Sequence, residues 1–148
     1  MMKLYSGDLS PYSARVRMQI YAKGLENEVT LERPRDFGTP AFRQRLPIGR
    51  IPVLDIDGDL MPESDVIAEY LEEVFPTPSL LGTTPRETAH IRTIARIGDI
   101  YLMNNMFMLS AQARAKTRDQ GVVDLLGGQV VRNIKALDKM IGTDGYAC

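Results

Sequence analysis

Ser10-Pro11-Tyr12-Ser13 is the segment of this chain best placed to do chemistry. It follows a strand-like Lys3-Leu4-Tyr5-Ser6 and opens a helix-like run. Cysteines at both outer positions would make a dithiol redox pair. Here both positions carry hydroxyls, so that chemistry is closed at this site. What remains is a hydroxyl at a helix N-terminus, suited to hydrogen-bonding a thiolate that arrives on a ligand. A free thiol titrates at about 8.5, and a helix N-terminus lowers that value. One charge-assisted hydrogen bond adds roughly 1.5–3 kcal/mol, or about one to two pKa units. The same serine is also an ideal N-cap, and the two roles are compatible. Ser13, a turn further on, is expected to be solvated or to bond back to the previous turn.

Two later segments extend the pattern. Ile51-Pro52 opens a strand, the position where a residue without an N–H is tolerated. X-Pro bonds are cis in only about 5–6% of cases, so the local sequence favours trans. A cis bond would turn the Ile51 backbone outward to pair with an extended peptide. Glu63-Ser64 opens a helix whose free N–H groups suit a carboxylate, while Glu63 suits an ammonium. A cap with a first-turn acid is the plain structural alternative. An arriving thiol plus an amino-acid head with both charges describes glutathione.

The elements that must hold these residues fall into two halves. Residues 1 to 78 alternate strand and helix signals. A helix is expected over Pro11–Lys23, capped by Ser10, stopped by Gly24, with Val16 and Ile20 inward. Glu28–Glu32 alternates as a half-buried strand does. Residues 33–46 read as a loop with one short helix. Asp57-Gly58 between Pro52–Ile56 and Asp59–Met61 signals a hairpin. Glu63–Phe75 reads as a helix with Val66, Ile67, Tyr70, Leu71, Val74 and Phe75 on one face.

Residues 75–79 carry two prolines and read as a linker. From residue 84 onward every signal is helical. Thr84-Pro85-Arg86-Glu87 is a capping box. Its helix is expected to run to about Arg118, with Ile91, Ile94, Gly98, Tyr101, Leu102, Asn105 and Leu109 in one stripe. A second helix spans about Val122–Ile141, with Val123, Val130, Ile134, Leu137 and Ile141 inward, Gly127-Gly128 as a weak point and Gly142 as its stop. Two long helices bury little by themselves. The sequence therefore reads as a helical domain that is incomplete.

Composition narrows the function classes. The chain has 148 residues, 44% of them hydrophobic and 25% charged, with formal net charge -1. That balance argues against nucleic acid or a membrane surface as the main partner. Arg33, Arg35, Arg43 and Arg45 are diluted by Glu26, Glu32 and Asp36. No signal peptide is read at the start, and no stretch is long and apolar enough to span a bilayer. Cys148 is the single cysteine, which excludes an intrachain disulfide and points to the reducing cytoplasm. His90 is the single histidine and is expected at the surface. A His-rich metal site is excluded, and no metal is expected.

Residues 10–17, 46–54 and 63–71, in this order and followed by a linker and a long helix, resemble the glutathione transferase family. The first segment looks most like its serine-type classes, such as tau, zeta and theta-like members. The resemblance implies an α/β thioredoxin-like N-terminal domain (βαβ-ββα) over residues 1–78, followed by an all-α domain of which 84–148 supply the first two helices. By position, Ser10 matches the catalytic serine. Ile51 matches the residue whose backbone pairs with the cysteinyl part of glutathione, beside the family's cis-proline at Pro52. Glu63 and Ser64 match the γ-glutamyl binders, and Arg50 sits where a basic or amide residue approaches the glutathione backbone. Tyr12, Arg96, Asp99 and Met103 are candidates for the second-substrate pocket, which the family places between its domains. The implied co-substrate is glutathione, the implied partners are a small electrophile and a second copy of the chain, and the implied role is detoxification. A non-catalytic module that keeps the fold for partner binding is the rival. A glutaredoxin-type oxidoreductase conflicts with serine at both 10 and 13.

Overall fold

The computed structural model describes residues 1–141 and divides the chain into two compact units, Met1–Leu80 and Leu81–Cys148. Gly142, named above as a helix stop, and Cys148 lie outside the described residues.

The first unit is built on a four-stranded sheet in the order β2-β1-β3-β4. Strand β1 (Met2–Tyr5) leads to helix α1 (Pro11–Lys23) and then to β2 (Val29–Glu32), which pairs parallel with β1. The short helix α2 (Pro40–Arg45) follows. Strand β3 (Val53–Ile56) pairs antiparallel with β1 and with β4 (Asp59–Pro62). Helix α3 (Ser64–Val74) closes the unit.

Local chemistry sets most of these boundaries. Ser10 caps α1, Pro11 occupies its first turn, and Gly24 ends it in the left-handed region at φ 67°, donating to the carbonyls of Ile20 and Tyr21. The β3–β4 turn takes positive φ at Asp57 (53°) and Gly58 (100°), and Asp55 Oδ1 accepts the Gly58 N–H at 2.8 Å.

The pleat sorts side chains to two faces. Leu4 and Leu54, opposite one another in register, join Val16 and Ile20 of α1 and Ile67 and Leu71 of α3 in one buried cluster. Their neighbours Tyr5 and Val53 face the other way and meet Phe42 and Leu46 from α2. Two of the six apolar residues expected on the inner face of α3 are instead outward: Val66 is 52% exposed and Val74 45%. The helix begins at Ser64 and ends at Val74, one residue inside each expected end.

The linker is held from beneath. The Lys23 side chain is fully buried, donating to the carbonyls of Phe75 (2.7 Å) and Pro78 (2.5 Å) and pairing with Glu72 at 2.9 Å. Glu72 in turn accepts the Leu80 N–H at 2.8 Å. Burial alone would raise the Glu72 pKa. The hydrogen bonds from Lys23 and the Leu80 N–H outweigh that and hold it below its ordinary value.

The second unit is helical. The Thr84 capping box is complete: Thr84 Oγ1 accepts the Glu87 N–H, and the Glu87 carboxylate accepts the Thr84 N–H. Helix α4 (Pro85–Ile97) passes through a π-helical stretch (Gly98–Met103) into α5 (Asn104–Arg114). The helical run therefore ends at Arg114, short of the expected Arg118, where Ala115 turns to extended backbone. Helix α6 (Gln120–Met140), capped by Asp119, packs on α5 and the π-helical stretch. Asn105 Nδ2 bridges the Tyr101 carbonyl (2.9 Å) and Gln129 Oε1 (3.0 Å), and Asn133 Nδ2 donates to that same carbonyl at 2.6 Å. Among the described residues of this unit, only Leu126 is buried. Ile134 and Ile141, expected inward, are 50% and 42% exposed. No described helix is long and apolar enough to cross a membrane.

Candidate functional site

The loop between β1 and α1 is fastened by a side chain that the motif reading did not use. Arg17 Nη1 donates to Ser6 Oγ and to the Gly7 carbonyl, both at 2.8 Å, and Nη2 donates to the Asp8 carbonyl at 3.2 Å. Ser13 is fully buried and its Oγ accepts the Gly7 N–H at 3.3 Å. It is thus a strut of this loop, where a solvated residue or a back-bond was expected.

Ser10 closes the turn, its N–H donating to the Gly7 carbonyl at 3.1 Å. Its Oγ accepts the Ser13 N–H at 3.2 Å, the N-cap bond. That bond uses an oxygen lone pair and leaves the hydroxyl hydrogen to donate elsewhere. Capping and donation to an anion are therefore compatible in one rotamer.

Gly7 brings the second segment alongside. A Cβ built on it would lie 2.7 Å from Ile51 Cδ1, so the loop approaches Ile51 as closely as a glycine permits. The Ile51–Pro52 bond is cis, as the family resemblance implied and against the local preference. Pro52 is buried at the head of β3, Ile51 is half-buried, and Arg50 is exposed.

The third segment has the least ordinary backbone. Glu63 sits at φ 73°, ψ 112°, a region costing a non-glycine residue of order 1–3 kcal/mol and concentrated at ligand sites. Its side chain makes no capping bond, so the plain cap reading fails for Glu63. Ser64 is buried and its Oγ accepts from Arg15 Nη1 at 3.1 Å. Arg15 also lies 3.8 Å from Asp65. Neither Arg15 nor Arg17 was singled out from sequence. Their signal was two arginines inside a helix that must bury a face, but their partners lie on other elements.

The structure thus places Ser10, Ile51, Pro52, Glu63 and Ser64 in one unit, with Gly7 joining the first two segments and Arg15 tying α1 to the head of α3. Tyr12 is half-buried in the first turn of α1. Arg96 is exposed near the end of α4, and Asp99 and Met103 are half-buried in the π-helical stretch, all in the second unit. His90 is exposed, as expected. Among the described residues, no group of three or more His, Cys, Asp or Glu is arranged to hold a metal.

A thioredoxin-like mixed sheet, a hydroxyl at the head of α1 and a helical unit after a proline linker are the architecture of the glutathione transferase class. Residues 4–79 match the glutathione S-transferase N-terminal domain, and the chain belongs to this family. It is 34% identical to maleylacetoacetate isomerase of Pseudomonas aeruginosa, the match covering 98% of this chain and 72% of that protein. The mouse maleylacetoacetate isomerase is 38% identical over 62% of this chain, a match spanning 44% of the mouse protein. Among solved structures, a glutathione transferase family member from Pseudomonas fluorescens with bound glutathione superposes with a TM-score of 0.82 at 21% identity, covering 94% of this chain and 71% of that one. The holo structure of a bacterial zeta-class maleyl pyruvate isomerase superposes with a TM-score of 0.77 at 24% identity, covering 97% and 70%.

Proposed function

We propose that the chain binds glutathione in extended form on the Met1–Leu80 unit and activates its thiol for attack on a small electrophile. Ser10 donates its hydroxyl hydrogen to the thiolate, and the N-terminus of α1 supplies the field. The Ile51 backbone pairs with the cysteinyl part, Arg50 lies along the peptide, and Ser64 and Glu63 take the γ-glutamyl carboxylate and ammonium. Tyr12, Arg96, Asp99 and Met103 serve the second substrate. The observation that carries this reading is the Ser10 geometry, a capping hydroxyl whose hydrogen is left to donate.

Two relatives are named for isomerising maleyl compounds. Such an electron-poor cis alkene suits this site. The thiolate forms a C–S bond to one alkene carbon as the π pair shifts onto the conjugated carbonyl as an enolate. The remaining single bond rotates, and return of that pair re-forms the alkene and breaks the C–S bond to release the trans product and the thiolate. No net electrons are exchanged. Conjugation to an electrophile in a detoxifying role uses the same thiolate, without its release. A homodimer in the cytoplasm completes the proposal, on the strength of the family resemblance.

Calorimetry with glutathione, followed by thiolate absorbance against pH, tests it. Bound thiol is expected to titrate below its free value of about 8.5, and Ser10→Gly to return it by about one to two units. A folded wild type that binds no glutathione overturns the reading.

A further inference from the structure

Helices α1 and α3 are joined by three polar rungs at one constant offset. Arg15 Nη1 meets Ser64 Oγ at 3.1 Å, Gln19 Nε2 meets the Ala68 carbonyl at 2.8 Å, and Lys23 Nζ meets Glu72 at 2.9 Å. Each pair is 49 residues apart, so the rungs climb both helices in steps of four. Gln19 and Lys23 are buried and set the register of the two helices. That register carries Arg15 to the head of α3, and the first rung alone touches the candidate site.

The first rung has a chemical consequence. A serine hydroxyl has one hydrogen, and an oxygen that accepts from a guanidinium points that hydrogen away from it. The Ser64 hydroxyl is therefore turned to donate, beside first-turn N–H groups of α3 that have no partner within the helix. The guanidinium adds positive charge, its side chain only 26% exposed. Asp65 at 3.8 Å balances part of this charge, with half its side chain in solvent.

We propose that Arg15 is a specificity-determining positioning residue. Acting through Ser64, it makes the head of α3 select the α-carboxylate at the γ-glutamyl end of glutathione. This rests on the glutathione reading above and adds to it the residue that sets the carboxylate preference.

The test compares two ligands by calorimetry: glutathione and γ-aminobutyryl-cysteinylglycine, which lacks only that carboxylate. The wild type is expected to prefer glutathione by at least about tenfold, the scale of a hydrogen bond to a charged group. Arg15→Met is expected to weaken glutathione by about tenfold to a hundredfold and to leave the analogue nearly unchanged. Its bound thiol should still titrate low, unlike that of Ser10→Gly. Equal weakening of both ligands would make Arg15 a mere helix clamp and overturn the proposal, as would no change in either. If Arg15→Met does not fold, Arg15→Lys carries the same comparison: a reduced preference supports the proposal, and an unchanged preference or equal weakening overturns it. A wild type that binds neither ligand sinks this proposal together with the glutathione reading, an outcome distinct from every variant result.

Discussion

The two units differ most in what they bury. The sheet unit encloses a cluster on each face, with Leu4, Val16, Ile20, Phe42, Leu54, Ile67 and Leu71 all fully buried. The helical unit buries Leu126 alone among its described residues, and leaves Phe107, Met108, Leu125 and Val131 42–61% exposed. Both are rich in apolar residues. A sheet gives two faces to cover and receives α1 and α3 on one and α2 on the other. Within the second unit, α4, α5 and α6 pack on one another, and the Asn105, Gln129 and Asn133 amides tie α5 and the π-helical stretch to α6. Apolar content does not make a core until a second layer covers it.

Mutation can break that contrast. Phe42→Ala should cost about 3–5 kcal/mol, while Leu126→Ala should fall near the low end of its class, about 2 kcal/mol. Urea unfolding measures both, and equal costs would show that the helical unit is packed as tightly as the sheet. Lys23→Met comes next. Stranding Glu72 in a buried site should cost about 3–5 kcal/mol, and adding Glu72→Leu should recover most of it. The same pair predicts acid sensitivity. The Glu72 pKa is lowered on folding, so its contribution is complete above the unfolded value near 4.5 and is lost as the pH falls below it. Melting curves from pH 7 to pH 3 should show that loss in the wild type and a smaller one in Lys23→Met/Glu72→Leu.

Smaller effects refine the comparison. Thr84→Ala should cost about 1 kcal/mol through its cap, seen by circular dichroism as fraying of α4 with the sheet unit unchanged. Ser10→Gly should be nearly silent in stability, within a few tenths of a kcal/mol, because glycine is an adequate N-cap. A larger drop in melting temperature would mean that Ser10 is chiefly structural.

The sequence showed what is decided within a few residues. The cap and stop of α1, the Asp57-Gly58 turn and the Thr84 capping box each have their partners three or four positions away, and each appears as read. Three candidate segments were also legible as motifs, since glutathione transferases keep them in a fixed order. What escaped depends on distant partners. Lys23, Gln19 and Arg15 look like ordinary helix polar residues until α3 arrives 49 residues later. Val66 and Val74 fit the apolar period of α3 and still face outward, because the covered stripe is narrower than the apolar one. Leu126 was passed over beside Gly127-Gly128, and the π-helical stretch has no local residue pattern that announces it.

Gly7 has a consequence of another kind. The atom a larger residue would strike is the tip of the Ile51 side chain, which can swing aside. An added methyl would therefore be absorbed by a rotamer change and leave the melting point almost where it was. The shift would emerge as slack between the hydroxyl loop and the Ile51-Pro52 backbone, with a ligand spanning both held less firmly. Glutathione affinity of Gly7→Ala would register what thermal unfolding cannot: this position calibrates a gap, and the missing carbon is the gauge.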